Sequence, residues 1–261
     1  MPQFRLEKKI LSEDKSFTLS GPDAAHALRV LRYKIGDKIL CLDPTGTKIE
    51  GRIEQIGNDL IQGSILNLWP FKNPNLKINL HAALLKTQAW EEVLEKGTEI
   101  GVHAFIPVLT AYGAVALEKE DYPRKLARWE KIIFSAVKQS ERTSIPSIFP
   151  PQTLQEILKK SPRGNASLFA WEKIAGNREN AFPISEIFRA MNQKDVFSVD
   201  IWIGPEGGFS DEESTLLIKQ NIHPITLGEN ILKAPTAALV SCALIQHEAR
   251  NALGARNEPL G

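Results

Sequence analysis

Cysteine is scarce in this 261-residue chain: Cys41 and Cys242 are the only two. They stand far apart and outside any C-x-x-C pattern, which argues against a disulfide framework and a cysteine-ligated zinc site. The expectation is two buried thiols in a reducing compartment, and no metal. An excess of one charge is also missing. The formal net charge is +1, so any grip on nucleic acid has to come from a local patch. No apolar run approaches membrane-spanning length, and Met1-Pro-Gln-Phe-Arg-Leu-Glu-Lys-Lys9 has no signal-peptide core. A cytoplasmic protein without membrane contact is expected. Finally, neither G-x-x-x-x-G-K-[ST] nor G-x-G-x-x-G occurs, so a ligand is not expected to be held through a triphosphate or pyrophosphate.

What is present centres on Val199-Asp-Ile-Trp-Ile-Gly-Pro-Glu-Gly-Gly-Phe-Ser-Asp-Glu-Glu213. Val199, Ile201 and Ile203 alternate with Asp200 and Trp202, the period of a strand with one face covered. Gly204-Pro205-Glu206-Gly207-Gly208 breaks that strand, and Ser210 and Glu213 have the spacing of a capping box, so a helix starts here. A strand, a glycine loop and a helix N-terminus leave bare backbone at the carboxyl end of a strand, where open α/β sheets bind ligands. A tight turn with no ligand is the competing reading of the same residues.

Around this stretch the chain divides in two. Residues 3 to about 68 read as short β segments (Phe17–Leu19, Lys38–Leu42, Lys48–Ile53 and Leu60–Leu66) broken by turn residues, which suggests a small β-barrel. A helix over Asp23–Arg32 interrupts them, with Leu28 and Leu31 inward and Arg29 and Arg32 projecting together. Trp69-Pro-Phe-Lys-Asn-Pro74 has two prolines and no period, the best boundary between domains. Beyond it, a strand at Lys77–Leu85, a helix at Trp90–Ile100 and a strand at Phe105–Leu109 form a βαβ unit, hence a parallel sheet. A long helix from Asp121-Tyr-Pro123 places Arg124, Arg128, Lys131, Lys138 and Arg142 in one narrow stripe, running into the polar cluster Gln139–Pro146. By itself the stripe reads as a solvated face; with the cluster it can hold an RNA backbone. A last helix spans about Pro235 to Ala249, and residues 251–261 read as a tail.

Three stretches together resemble one family: Ile203-Gly-Pro-Glu-Gly-Gly-Phe-Ser210, Leu227-Gly-Glu-Asn-Ile-Leu-Lys-Ala-Pro-Thr-Ala237, and Glu130 with Gln139-Ser-Glu-Arg142 and Ile145-Pro146. Lys96–Val102 and His26–Arg32 fit as well. The pattern is similar to the RsmE family, SPOUT-class methyltransferases acting on small-subunit ribosomal RNA, over nearly the whole chain. The resemblance implies an α/β fold: a PUA-like RNA-binding β-barrel over residues 1–72, then a SPOUT trefoil-knot methyltransferase domain with a parallel sheet over 73–250. It implies S-adenosylmethionine as cofactor, held by three loops matching Phe169–Glu172, Ile203–Gly208 and Leu227–Leu232. The contacts implied are Ala170, Trp171, Ile203, Gly204, Pro205, Glu206, Gly207, Gly208, Leu227, Gly228, Asn230, Ile231 and Leu232. The implied reaction is methylation of a uridine N3 in 16S ribosomal RNA of the small subunit, by a homodimer with the last helix at its interface.

Arg142 and Lys233 are the candidates for catalysis, the first positioning substrate and the second stabilising charge near the target base. Arg29, Arg32, Arg124, Arg128, Lys131, Lys138, Gln139 and Ser140 are the candidates for RNA contact. Glu206 reads either as a loop or substrate contact or as a helix-N-terminal carboxylate. The chain departs from the family's Arg-Ile-Leu-Arg-x-Glu-Thr-Ala at Asn230-Ile-Leu-Lys233-Ala-Pro235-Thr-Ala, and a family arginine after Thr110 is replaced within Ala111-Tyr112-Gly113. Lysine does not reproduce a guanidinium fork. Two alternatives therefore stay open, a non-catalytic ribosome-binding or assembly protein and a methyltransferase for another RNA site.

Overall fold

The computed structural model describes residues 2–70, 76–113, 118–140, 142, 144–160, 164–174, 181–189 and 197–254. By contacts the chain forms two units, Met1–Asn73 with Val137–Ile145, and Pro74–Ala136 with Pro146–Gly261. The return of Val137–Ile145 to the first unit has no counterpart in the linear division expected above.

The first unit is a five-stranded sheet built from β1 (Gln3–Arg5), β2 (Ser16–Ser20), β3 (Lys38–Leu42), β4 (Lys48–Gly57) and β5 (Leu60–Trp69), in the order β1-β3-β4-β5-β2. All neighbours are antiparallel except β1 and β3. Alternation along the strands buries Phe17, Leu19, Ile39, Cys41, Ile49, Ile53 and Ile61 in one core with Phe4 and Leu6. The helix α1 (Gly21–Arg29) ends three residues before the expected Arg32. The Val30 and Leu31 N–H groups both close on the His26 carbonyl, and Arg32 turns left-handed at φ 57°. Ala24 and Ala27 are the buried face, whereas Leu31 is exposed.

The second unit contains β6 (Leu76–Ala83), α2 (Thr87–Ile100), β7 (Val102–Leu109), most of α3 (Tyr122–Gln139), β8 (Ser147–Ile148), β9 (Gln152–Thr153) and α4 (Leu154–Lys160). It continues through β10 (Ala166–Ala170), α5 (Ile184–Arg189), β11 (Phe197–Ile203), α6 (Asp211–Lys219), β12 (His223–Ile225) and α7 (Ala234–Gly254). The sheet is parallel, in the order β12-β10-β11-β6-β7-β8, with β9 also on β7. β11 is thus laid between β6 and β10, two strands already placed. Covering helices explain why β11 is buried on both faces rather than the one expected, Asp200 included. Trp90 of α2 meets Trp129 of α3 edge to face at 5.7 Å, a contact worth about 1 kcal/mol beyond its buried area. α7 carries on past Ala249 to Gly254, so residues 251–254 belong to the helix rather than to a tail; no breaker precedes Gly254, and Asn251 pairs with His247 one turn back at 3.0 Å. Cys41 and Cys242 are buried free thiols. Among the described residues no helix is long and apolar enough to cross a membrane.

Candidate functional site

β10, β11 and β12 end side by side, with Phe169 beside Trp202 and Ala170 beside Ile225. Their exits therefore converge at the carboxyl end of the sheet. After Ile203 the chain turns tightly, the Gly208 N–H donating to the Pro205 carbonyl at 2.9 Å. Gly208 sits at φ +71°, and a Cβ there would overlap the Glu172 carboxylate, so only glycine fits without displacing a neighbour. Gly228 has φ +120° with open space where a Cβ would point. Its loop is shaped by Thr226, whose hydroxyl donates to the Gly228 carbonyl at 3.1 Å. The expected capping box closes the turn: Ser210 Oγ accepts from the Glu213 N–H (3.1 Å), and the Ser210 N–H donates to Glu213 Oε2 (2.9 Å). The other Glu213 oxygen accepts from the Ala111 N–H at 2.8 Å, tying the segment after β7 to α6. Lys173 is bonded to Asp211, which raises the pKa of its ammonium.

Between these exits lies a cleft holding about 510 Å³ of space, open mouth included. Ala170, Trp171, Ile203, Gly204, Pro205, Gly208, Leu227, Gly228, Asn230, Ile231 and Leu232 all line it. Glu206 and Gly207 do not; both are exposed, and Gly207 faces Tyr112. The lining also includes Glu172, Ala234 and Ala237, which lie in the stretches quoted from the sequence but were not named as contacts, and Thr226, which lies outside them. Ala234 and Ala237 stand one turn apart at the start of α7. Among the described residues the lining has apolar walls, glycine main chain and one carboxylate, and no lysine or arginine. Such a cleft suits a small, largely apolar or cationic ligand rather than a phosphate.

A model of the RNA methyltransferase domain matches residues 72–246, and one of the RNA methyltransferase PUA domain matches residues 19–66. The chain is 30% identical to the ribosomal RNA small subunit methyltransferase E of Rickettsia conorii, covering 90% of this chain and 91% of that one. With the Bacillus subtilis protein of the same name it shares 29% identity over 93% and 94% of the two chains. The chain belongs to this methyltransferase family. Among solved structures it resembles the family member from Neisseria gonorrhoeae bound to S-adenosyl methionine, with a TM-score of 0.78 and 27% identity over 95% and 97% of the chains.

As an RNA methyltransferase the chain carries its candidate catalytic and RNA-contacting side chains in varied settings. Lys233 is exposed, between Leu232 and Ala234 of the cleft, and its carbonyl accepts the Ala237 N–H at 2.8 Å. Arg142 lies in the first unit, part-buried, with Nη2 donating to Ser144 Oγ at 2.9 Å; burial lowers its pKa to about 10. The cationic stripe is not a row of uncommitted charges. Arg128 is gripped twice by Glu91, at 2.6 and 2.8 Å, and Arg124 pairs with Asp121 at 2.9 Å. Lys138 lies 3.8 Å from Asp23, while Lys131 and Gln139 are exposed and Ser140 is half-buried. Arg29 pairs with Asp59 at 2.7 Å; with the helix ended at Arg29, Arg32 does not project beside it as a helical neighbour.

One polar cluster went unforeseen. Asp200 is buried, and Asn79 Nδ2 and the Gly164 N–H donate to it at 2.8 Å, with Ser167 Oγ at 3.3 Å. His81 Nε2 stands 3.7 Å from the same carboxylate, its ring stacked on Trp202 at 4.0 Å. Burial opposes the charge on Asp200, but His81 and these donors outweigh it and hold the pKa below the ordinary carboxylate value. Asn79 is remote in sequence, and no local pattern announces the pairing.

Proposed function

We propose that this methyltransferase transfers a methyl group from S-adenosylmethionine to N3 of an unpaired uridine in 16S ribosomal RNA of the small subunit. The cleft beside Gly204, Gly208 and Gly228 is the observation that carries this reading. Its apolar walls suit the adenosine body, its backbone suits the adenine edge, and among the described residues of the lining Glu172 supplies a charge opposite in sign to a sulfonium. When bound there, the cofactor supplies an electrophilic methyl carbon. The chain's own contribution is alignment, since an in-line displacement rewards geometry more than covalent chemistry. The residues of the three loops fix the donor, and Lys233 at the edge of the lining stabilises the negative charge left on a uracil oxygen as the N3 proton departs to water. Drawing the base out of its stack costs a few kcal/mol. Arg29, Arg32, Arg124, Arg128, Lys131, Lys138, Gln139, Ser140 and Arg142 offset that cost through contacts to the RNA.

The same reading makes the protein a cytoplasmic homodimer joined through α7, and makes the second unit a trefoil knot. The support for the knot is strand order: β11 fills a gap between strands laid before it, and α7 follows. The test uses S-adenosylmethionine with an isotopically labelled methyl group and small ribosomal subunits from cells lacking the protein. Digestion and mass spectrometry should place the label in 3-methyluridine. Label in a different nucleoside, or in none, would refute the assignment.

A further inference from the structure

The segment after β7 turns back on itself, the Gly113 N–H donating to the Thr110 carbonyl at 3.1 Å. The Ala111 N–H is anchored on Glu213 of the capping box, so the turn is fixed to the element that also ends the glycine loop. At its tip stands Tyr112, 59% exposed. A Cβ built on Gly207 would lie 3.3 Å from Tyr112 Cβ, so the absence of a side chain at Gly207 lets Tyr112 approach the loop closely. The two adjacent glycines thus face two things: Gly208 faces Glu172 of the cleft, and Gly207 faces the tyrosine. A large aromatic ring is therefore held by backbone bonds, open to solvent, against Gly207, one residue from Gly208 of the cleft. Bases stack on such faces whatever their sequence.

We propose that Tyr112 is the platform on which the target base stacks while its N3 is presented to the cleft, a positioning residue for the substrate. This rests on the methyl-transfer reading above. The test measures methyl transfer to unmethylated small ribosomal subunits together with calorimetric binding of S-adenosylmethionine, for wild type, Tyr112→Ala, Tyr112→Leu and Tyr112→Phe. Loss of one base–aromatic stack should raise KM for the subunit roughly ten-fold or more in the alanine and leucine variants, with cofactor affinity unchanged and Phe restoring the wild-type KM. Leucine covers Gly207 without offering an aromatic face, so rescue by leucine would mean mere packing and overturn the proposal. Weakened cofactor binding in the alanine variant, or unchanged KM in it, would overturn it too. A wild type that binds S-adenosylmethionine but methylates no uridine would instead remove the uridine reading, and the role of Tyr112 with it.

Discussion

Asp200 and Gly204 lie on one strand and its exit, and the protein treats their polar groups in opposite ways. Asp200 is saturated: Asn79, Ser167, the Gly164 backbone and His81 converge on one buried carboxylate. Gly204 and Gly208, with Gly228 opposite them, edge a cleft with their main chain. Burying a charge is expensive unless its partners are in place, so the first arrangement holds β6, β10 and β11 in register. The second sets main chain without side chains beside open space, where a small molecule can approach it closely. A buried charge with its partners in place supports the fold, and bare backbone at a cleft marks where a ligand can go.

The largest expected effect breaks that contrast at the cleft. Gly208→Val places a branched side chain at φ +71° against Glu172, and strain of this kind costs about 1–3 kcal/mol before any lost contact. Calorimetry should show S-adenosylmethionine binding weakened by about a hundred-fold. Gly207→Ala, whose Cβ would meet Tyr112 first, should bind nearly as wild type. Equal affinity in the valine variant would mean that this backbone is not the cradle.

Next in size is Asp200→Asn. Its amide keeps the shape but turns one acceptor into a donor facing donors, which should cost about 2–3 kcal/mol in urea unfolding. Cofactor affinity should stay within about two-fold of wild type. A variant that unfolds normally but loses the cofactor would transfer Asp200 from the scaffold to the site.

The same contrast explains what could be read in advance. The glycine loop, the capping box and the parallel sheet are local: each follows from the spacing of neighbours such as Ser210 and Glu213. The cleft lining was legible through the family motifs, because Ile203–Gly208 and Leu227–Leu232 are contiguous segments. Asp200 read as a solvent-side residue because alternation cannot report helices packing over the second face. The stripe of α3 was visible as a period, but its neutralisation by Glu91 and Asp121 depends on neighbours that only the fold supplies. The early end of α1 came from backbone closure on His26, which the apolar pattern through Leu31 concealed.

A smaller effect is expected in acid. Asp200 has a folded-state pKa below its unfolded value of about 3.9. Its charge therefore stabilises the fold fully above that value, and the contribution is lost as pH falls through the lower folded one. Urea midpoints measured from pH 6 to pH 2.5 should decline on the acid side, and Asp200→Asn should flatten that decline. An unchanged slope in the variant would show that other carboxylates carry the acid sensitivity.

The smallest effect carries the comparison to the surface of α3. Arg128 is committed to Glu91 through one hydrogen bond and a close ion-pair contact, whereas Lys131, one turn on, is exposed. If commitment to a protein partner withdraws a group from ligand binding, Lys131 contacts phosphate more readily than Arg128 does. Lys131→Ala should reduce the slope of log K against log salt for ribosomal RNA by about 0.7–0.9, one phosphate contact, with little change in sequence preference. Arg128→Ala should change the slope by less, and Glu91→Gln, which releases the guanidinium, should steepen it. Equal losses from Lys131→Ala and Arg128→Ala, with no response to Glu91→Gln, would mean that RNA displaces Glu91 without cost. Ion pairing in the free protein would then say nothing about which cations meet the substrate.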